Sequence, residues 1–258
     1  MKKNYYDGPY LGIAPIKNDF QLDSSYMQLT NHPVSAFIFA FFIEGEALLE
    51  IDEKKYLLGA GQMIWIPENK NIYIHYFKNC VGYNAIVTLE FLKDASYPIL
   101  RSHNPIVQSF WFDDAVFMGS LMKRMVVALD DKDTPFLKSS IDLIIGQLRP
   151  GGKIAAVPEK FLQLVFDRNR APLTVSEYAN ILNVTPNYLN KTVKNHTHRT
   201  AIDWIEIARL NLAKQLLKDI RIPIVEVAAR TGLADQSYFS RFFKKKTGMS
   251  PTQYRNSL

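Results

Sequence analysis

One pattern occurs twice in this chain, 50 residues apart, and nothing else in it restricts the fold as much. The later copy, Pro223 to Arg255 (PIVEVAARTGLADQSYFSRFFKKKTGMSPTQYR), reads as helix, turn, helix, stop. Pro223 suits a first helical position, where its missing N–H would have no partner anyway, and Val225, Ala228 and Ala229 then share one face. Gly232 closes that helix in the left-handed conformation, and small Ala228 lets a second helix approach. Asp235 caps the next start. On the second helix Phe239, Phe242 and Phe243 face inward, while Gln236, Ser237, Ser240 and Arg241 share the opposite face and Lys244, Lys245 and Lys246 follow. A polar face ending in cations fits a DNA major groove, but it also fits water. Repetition separates the two.

The earlier copy runs from Val175 to Trp204. Tyr188-Leu189-Asn190-Lys191-Thr192-Val193-Lys194 matches Tyr238-Phe239-Ser240-Arg241-Phe242-Phe243-Lys244, and outside this core Ala179 pairs with Ala228, Thr197 with Thr247, Thr200 with Ser250 and Trp204 with Tyr254. Duplication of one supersecondary unit implies two equivalent surfaces. Between the copies, Ile202 to Leu217 is apolar at Ile205, Ala208, Leu212 and Leu216, the spacing of a continuous helix. Some 16–18 helical residues span about 25 Å, the order needed to hold two heads near one DNA turn apart.

At these residues the chain resembles the AraC/XylS family of transcriptional regulators. The later copy matches the family signature through Ile224 to Ala229, Gly232, Asp235, Tyr238-Phe239, Ser240-Arg241, Phe243-Lys244, Gly248, Pro251 and Tyr254-Arg255, and the likeness covers Lys160 to Leu258. It implies two helix-turn-helix motifs entering successive major grooves of double-stranded DNA. The base-reading positions are then Asn187, Asn190 and Lys191 in the first copy and Gln236, Ser237, Ser240 and Arg241 in the second. Phosphate contacts are expected from Lys194, Arg209, Lys244, Lys245 and Arg255. His198 stands where the family usually has a turn glycine, Leu233 where a phenylalanine is common, and Asn190-Lys191 is less basic than a typical first reader.

The charge is placed to match. Residues 1–157 carry 15 Lys+Arg against 17 Asp+Glu, whereas 158–258 carry 16 against 8, so the whole +6 belongs to the C-terminal part. Phosphate neutralisation with counterion release needs cations there. A length of 258 residues, 47% of them hydrophobic, suits two domains with real cores. The opening MKKNYYDGPY has no apolar run, no stretch approaches the roughly 20 apolar residues of a membrane span, and the single Cys80 fits a reducing cytoplasm.

From Ser35 to Leu92 the chain reads as strands: SAFIFAFFIEG, ALLEI, then QMIWI and IYIHYF around a Pro67-Glu68-Asn69 turn, with Gly45, Gly59 and Gly61 as punctuation. Short strands at this spacing suggest a sandwich or barrel. The run GEALLEIDEKKYLLGAGQMIWIPENKNIYI is similar to the cupin-like sensing domain found ahead of such heads, which implies a ligand-binding barrel over 1–100. Trp65, Tyr73, His75, Tyr76 and Tyr83 are its pocket candidates, although strand aromatics more often serve a core. With only His32, His75 and His103 in this half and no His-x-His pair among them, neither a metal nor another cofactor is expected. His196 and His198 form such a pair, but beside a reading head they fit phosphate contact or helix closure better.

IVQSFWFDDAVFMGSLMKRMVVALDD and TPFLKSSIDLIIGQL, within 101–148, read as two amphipathic helices, with Thr134 capping the second and Pro135 at its first position. Phe117, Leu121, Met125, Leu137, Ile141 and Ile144 serve either a homodimer interface or packing on the chain's own sheet. Residues 149–157, with Gly151 and Gly152 and flanking prolines, read as the linker to a helical domain at 158–258. The expected class is α+β multidomain: a cupin-like barrel with helices, then an all-α domain with two helix-turn-helix motifs joined by a linker helix. The expected function is DNA-binding regulation, modulated by a small molecule in the barrel through DNA affinity or contact with RNA polymerase; a barrel that only dimerises is the alternative there. Two enzyme classes compete. The histidine pattern argues against a metal-dependent cupin enzyme, and an alkyl-accepting repair protein would need its thiol activated, whereas Cys80 in KNCVGYN has no neighbouring His or Arg.

Overall fold

The computed structural model describes residues 11–16, 26–28, 36–67, 70–88, 90–91, 107–150, 156–167 and 170–258. It divides the chain into two compact units, Met1–Lys153 and Ile154–Leu258. The N-terminal unit is built on one antiparallel sheet of β1 (Leu11–Ile16), β2 (Tyr26–Gln28), β3 (Ala36–Ile51), β4 (Lys54–Gly59), β5 (Gln62–Ile66), β6 (Asn71–Thr88), β7 (Gln108–Trp111) and β8 (Arg149–Pro150). Its strand path is β1-β6-β3-β5-β7-β8, with β2 on β6 and β4 on β3, and among the described residues its two end strands do not pair.

β3 and β6 form the spine, in register from Ala36↔Thr88 to Ile51↔Ile72. SAFIFAFFIEG and ALLEI therefore belong to one strand. Gly45, at φ 83°, bends it without ending it, and a Cβ there would stand 2.4 Å from the Asn79 carbonyl oxygen, so only glycine lets β3 pass β6 so closely. Register shifts at Phe42/Glu44, Glu44/Glu46 and Leu48/Leu49 spread the bend. Each half of β3 then recruits its own partner, Ile38–Phe42 pairing β5 and Glu46–Ile51 pairing β4. Of the expected turn, Glu68 and Asn69 lie outside the described residues.

One sheet face buries Phe37, Phe39, Phe41, Met63 and Trp65 under two helices, α1 (Ala115–Asp130) and α2 (Thr134–Gly146). Met125, Leu137, Ile141 and Ile144 all enter this core and Leu121 packs against it, so five of the six candidate interface residues serve internal packing. Phe117 is instead exposed, as are Val116, Val127 and Leu143. Two local expectations change. Gln108–Trp111, read as helical, is strand β7, because it pairs with β5 from Gln62↔Trp111 to Trp65↔Gln108. Asp133, one residue before Thr134, caps α2 by accepting from the Phe136 N–H at 3.2 Å. Of residues 149–157, the first two form β8, residues 151–155 lie outside the described set, and Ala156 begins the next helix.

The C-terminal unit contains α3 (Ala156–Val165), α4 (Val175–Ile181), α5 (Pro186–Thr197), α6 (Ala201–Leu217), α7 (Ile224–Arg230), α8 (Gln236–Thr247) and α9 (Pro251–Asn256). The short–long pairs α4/α5 and α7/α8 are the two copies, and α6, with 17 residues, spans about 25 Å between them. Pro223 is not the first helical residue but the cap before it, at ψ 149°. Phe161, Leu162 and Val165 of α3, none anticipated as core, are buried with the first copy's Tyr178 and Ala179. Val227, Ala228, Phe239, Phe242 and Phe243 make the core of the second with Ala213 and Leu217 of α6.

Candidate nucleic-acid interface

The two longer helices of the copies are built alike atom by atom. Thr185 accepts from the Tyr188 N–H at 3.2 Å to cap α5, and Asp235 accepts from the Tyr238 N–H at 2.9 Å to cap α8. At the far ends the Thr197 hydroxyl bonds the carbonyls of Val193 and Arg199 at 2.8 and 3.1 Å, while Thr247 bonds those of Phe243 and Met249 at 2.9 and 3.0 Å. Next comes a left-handed residue, His198 at φ 56° or Gly248 at φ 80°. His198 therefore closes a helix, as glycine does in the second copy, at the expense of a Cβ in that region. Trp204 and Tyr254 brace the two helices from below. The Trp204 Nε1 donates to Thr197 Oγ1 at 2.8 Å, and the Tyr254 ring stands edge-on to Phe243 at 5.3 Å.

With Leu189 and Val193, or Phe239, Phe242 and Phe243, turned inward, the opposite faces are fixed. Asn187, Lys191, Gln236, Ser237 and Arg241 are exposed, as are Lys194, Lys244 and Lys245; Asn190 and Ser240 are half-buried. Asn190 is already engaged within the protein, where its Oδ1 accepts from the Ala201 N–H at 3.0 Å. The second copy has Pro251 at the position of Ala201, and proline has no N–H to satisfy. Ser240 is released from that duty.

Two residues expected on phosphate are held inside the protein. Arg209, half-buried on α6, directs its Nη2 to the carbonyls of Pro172 and Leu173 at 3.3 and 3.4 Å, and burial holds its guanidinium below the ordinary value. Arg255, on α9, donates through Nε to the Leu217 carbonyl at 3.3 Å and through Nη2 to that of Ile222 at 2.7 Å, closing the end of α6. Both guanidiniums are committed to backbone carbonyls of the unit itself, which their basicity does not reveal. Lys246 likewise pairs with Glu206 of α6 at 2.5 Å. Conversely, Tyr188 and Tyr238 are 53% and 52% exposed at equivalent points of the first turns of α5 and α8. Neither is among the DNA contacts expected from sequence, although their shared place in the repeat marks them as equivalent.

The five N-terminal pocket candidates fall into two groups. Trp65 is buried against Phe37 and Phe39, its Nε1 without a hydrogen-bond partner among the described residues, and Tyr83 packs on the same core. His75 and Tyr76 instead bond carboxylates of β3: His75 Nε2 lies 2.7 Å from Glu50 Oε2, and the Tyr76 hydroxyl donates to Glu46 at 3.0 Å. Tyr73 is opposite Glu50 in the β3–β6 register. Lys55, also buried, reaches Glu50 at 3.0 Å. Burial alone would raise the Glu50 carboxyl, but the bonds from His75 and Lys55 outweigh it and hold it at about 2. Neither Glu50 nor Lys55 was a sequence candidate, since a charged residue in an alternating strand reads as outward. His32 and His103 lie outside the described residues, and among those described no group of three His, Cys, Asp or Glu is placed to hold a metal. Burial pushes the Cys80 thiol up to about 11, and its Sγ donates to the carbonyls of Glu46 and Lys78, the opposite of an activated nucleophile. No helix is long and apolar enough to cross a membrane among the described residues.

Two like-built helix pairs on a rigid connecting helix, each with a polar outer face, define the class of helix-turn-helix proteins, and residues 178–257 match the family described as Helix-turn-helix domain. The chain is 30% identical over 117 residues to the uncharacterized HTH-type transcriptional regulator YpdC of Escherichia coli K12, covering 45% of this chain and 40% of that one. It is 39% identical over 72 residues to the arabinose operon regulatory protein of the same organism, covering 28% and 25% respectively. Over a longer stretch, 241 residues, it is 22% identical to the Msm operon regulatory protein of Streptococcus mutans, covering 86% of this chain and 84% of that protein. Over its C-terminal unit the chain is therefore similar to AraC-type regulators, and it spans less than half the length of the first two of these relatives.

Proposed function

We propose that this protein is a transcriptional regulator whose helices α5 and α8 enter successive major grooves of double-stranded DNA. The observation carrying this reading is the repeated construction of α5 and α8, capped, closed and braced at equivalent positions, with different polar residues on the two outward faces. Duplicated scaffolds with divergent faces suit reading two different base steps. Asn187, Asn190 and Lys191 read one element; Gln236, Ser237, Ser240 and Arg241 read the other. Lys194, Lys244 and Lys245 contact phosphate, joined by the exposed Tyr188 and Tyr238. The N-terminal sheet, taken as a cupin-like sensing domain, binds a small-molecule effector that shifts the heads' DNA affinity or their contact with RNA polymerase in the cytoplasm. The exposed Val116, Phe117 and Val127 of α1 support pairing of two chains. The protein acts by binding and not as an enzyme.

The test is selection of a randomised DNA pool by the purified full-length protein at two salt concentrations, followed by sequencing. Enrichment of paired elements about one helical turn apart is expected. Salt-labile binding without enrichment would sink the reading.

A further inference from the structure

Three segments meet at one point of the C-terminal unit: the chain entering α4 at Pro172-Leu173, the middle of α6 at Arg209, and the α7–α8 turn at Gly232. Gly232 has φ +75°, and a Cβ on it would stand 2.6 Å from the Pro172 carbonyl oxygen and 3.7 Å from Arg209 Nη2. The second copy's turn therefore lies in backbone contact with the entry to the first. A carbonyl enclosed there needs a donor, and Arg209 Nη2 supplies it to Pro172 and Leu173 together. Leu173 is held from its other side, where its N–H donates to the Tyr178 hydroxyl at 3.2 Å, and Tyr178 is fully buried edge-on to Phe161 at 5.5 Å. A second tie joins the same bodies, because Glu206, three residues before Arg209 on α6, pairs with Lys246 near the end of α8.

A continuous α6 fixes only the distance between the copies. Their rotation about its axis needs a contact off that axis, and the junction of Gly232, Pro172 and Arg209 is one. We infer that Arg209 and Gly232 are positioning residues that set the angle between α5 and α8, and so fix the spacing at which two DNA elements are read. This rests on the two-headed reading above. Linked binding gains affinity only when the geometry lets both modules engage at once, so a loosened joint weakens paired recognition and leaves each head intact.

The first experiment needs no DNA. Spin labels on Asn195→Cys and Lys245→Cys, both exposed positions, report the α5–α8 distance in the full-length protein. One narrow distance is expected for the parent, with a broadened or displaced distribution in Arg209→Met and in Gly232→Ala. Unchanged distributions in both would overturn the inference, whatever the protein binds. Arg209→Lys, which keeps the charge but loses the fork, gives an intermediate width and serves if Arg209→Met does not fold. The second experiment measures affinity for paired elements whose separation varies by single base pairs, beside a single element. Arg209→Met is expected to lose its spacing optimum, and on the order of tenfold in paired affinity, while single-element affinity is kept. Equal losses on single and paired DNA, with the optimum intact, would also overturn it. If the parent selects no paired elements while the spin-label distances broaden as expected, the DNA reading fails and the joint stands.

Discussion

Arg255 separates two accounts of the C-terminal cations, because a phosphate contact and a helix cap predict opposite results from one substitution. In the structure its guanidinium bonds the carbonyls of Leu217, the last residue of α6, and Ile222, just before α7. A bond from a charged donor contributes about 1.5–3 kcal/mol, and the Leu217 contact, at 3.3 Å in a half-buried site, belongs below that range. Arg255→Ala should therefore destabilise the α6–α7 connection by about 2–3 kcal/mol. Amide hydrogen exchange followed by mass spectrometry on the full-length protein is the assay, because it resolves peptides of α6, α7 and α9 from the N-terminal unit. Protection there should fall roughly thirtyfold to a hundred and fiftyfold, with N-terminal peptides unchanged. Lys245→Ala, by contrast, should leave exchange untouched and reduce the salt slope of DNA binding by about one. Unchanged protection in Arg255→Ala, together with a reduced salt slope, would refute the capping assignment and restore the phosphate role.

Asn190→Ala leaves the Ala201 N–H without its acceptor and should cost about 0.5–2 kcal/mol in denaturant unfolding, whereas Ser240→Ala, opposite Pro251, should cost far less; equal losses would contradict the division of labour between the copies. His198→Gly relieves a left-handed side chain and should stabilise the unit by about 0.5–1 kcal/mol, read as a raised melting temperature. Glu50 has a folded value of about 2, below the ordinary 4.5, so its contribution is complete above 4.5 and is lost as pH falls toward about 2. That contribution is on the order of 3 kcal/mol, and the stability gap between parent and Glu50→Gln should narrow steadily over that acid range; a gap independent of pH would refute the assignment.

The parts of this fold legible in the sequence were those written in local, repeated terms. Asp235 and Gly232 each act within a turn or two of chain, the 50-residue offset repeats such local signals, and the structure uses both as read. What escaped depends on partners far along the chain. Gln108–Trp111 follows a helical rhythm until β5 supplies an edge to pair with. Lys55 and Glu50 lie inside because each finds the other across a hairpin, and His75 joins them from 25 residues away. Arg209 and Arg255 look like any cation near a reading head, since the carbonyls they cap are 36 and 38 residues distant at Leu173 and Leu217.

Net charge therefore overstates what the helical unit can offer to phosphate. Of its 16 Lys and Arg, Arg209 and Arg255 are turned to backbone carbonyls, and Arg170, Arg221, Arg230 and Lys246 are paired with Asp167, Asp219, Glu226 and Glu206. The cations on the outer faces of α5 and α8 are Lys191 and Lys194 on one, and Arg241, Lys244 and Lys245 on the other. Neutrality at Asn190 is compatible with this, because that position caps α6 in the first copy and an arginine there would forfeit the bond to Ala201. The first head is thus constrained toward holding the connecting helix, while the second, with Pro251 relieving Ser240, carries the larger share of the outward charge.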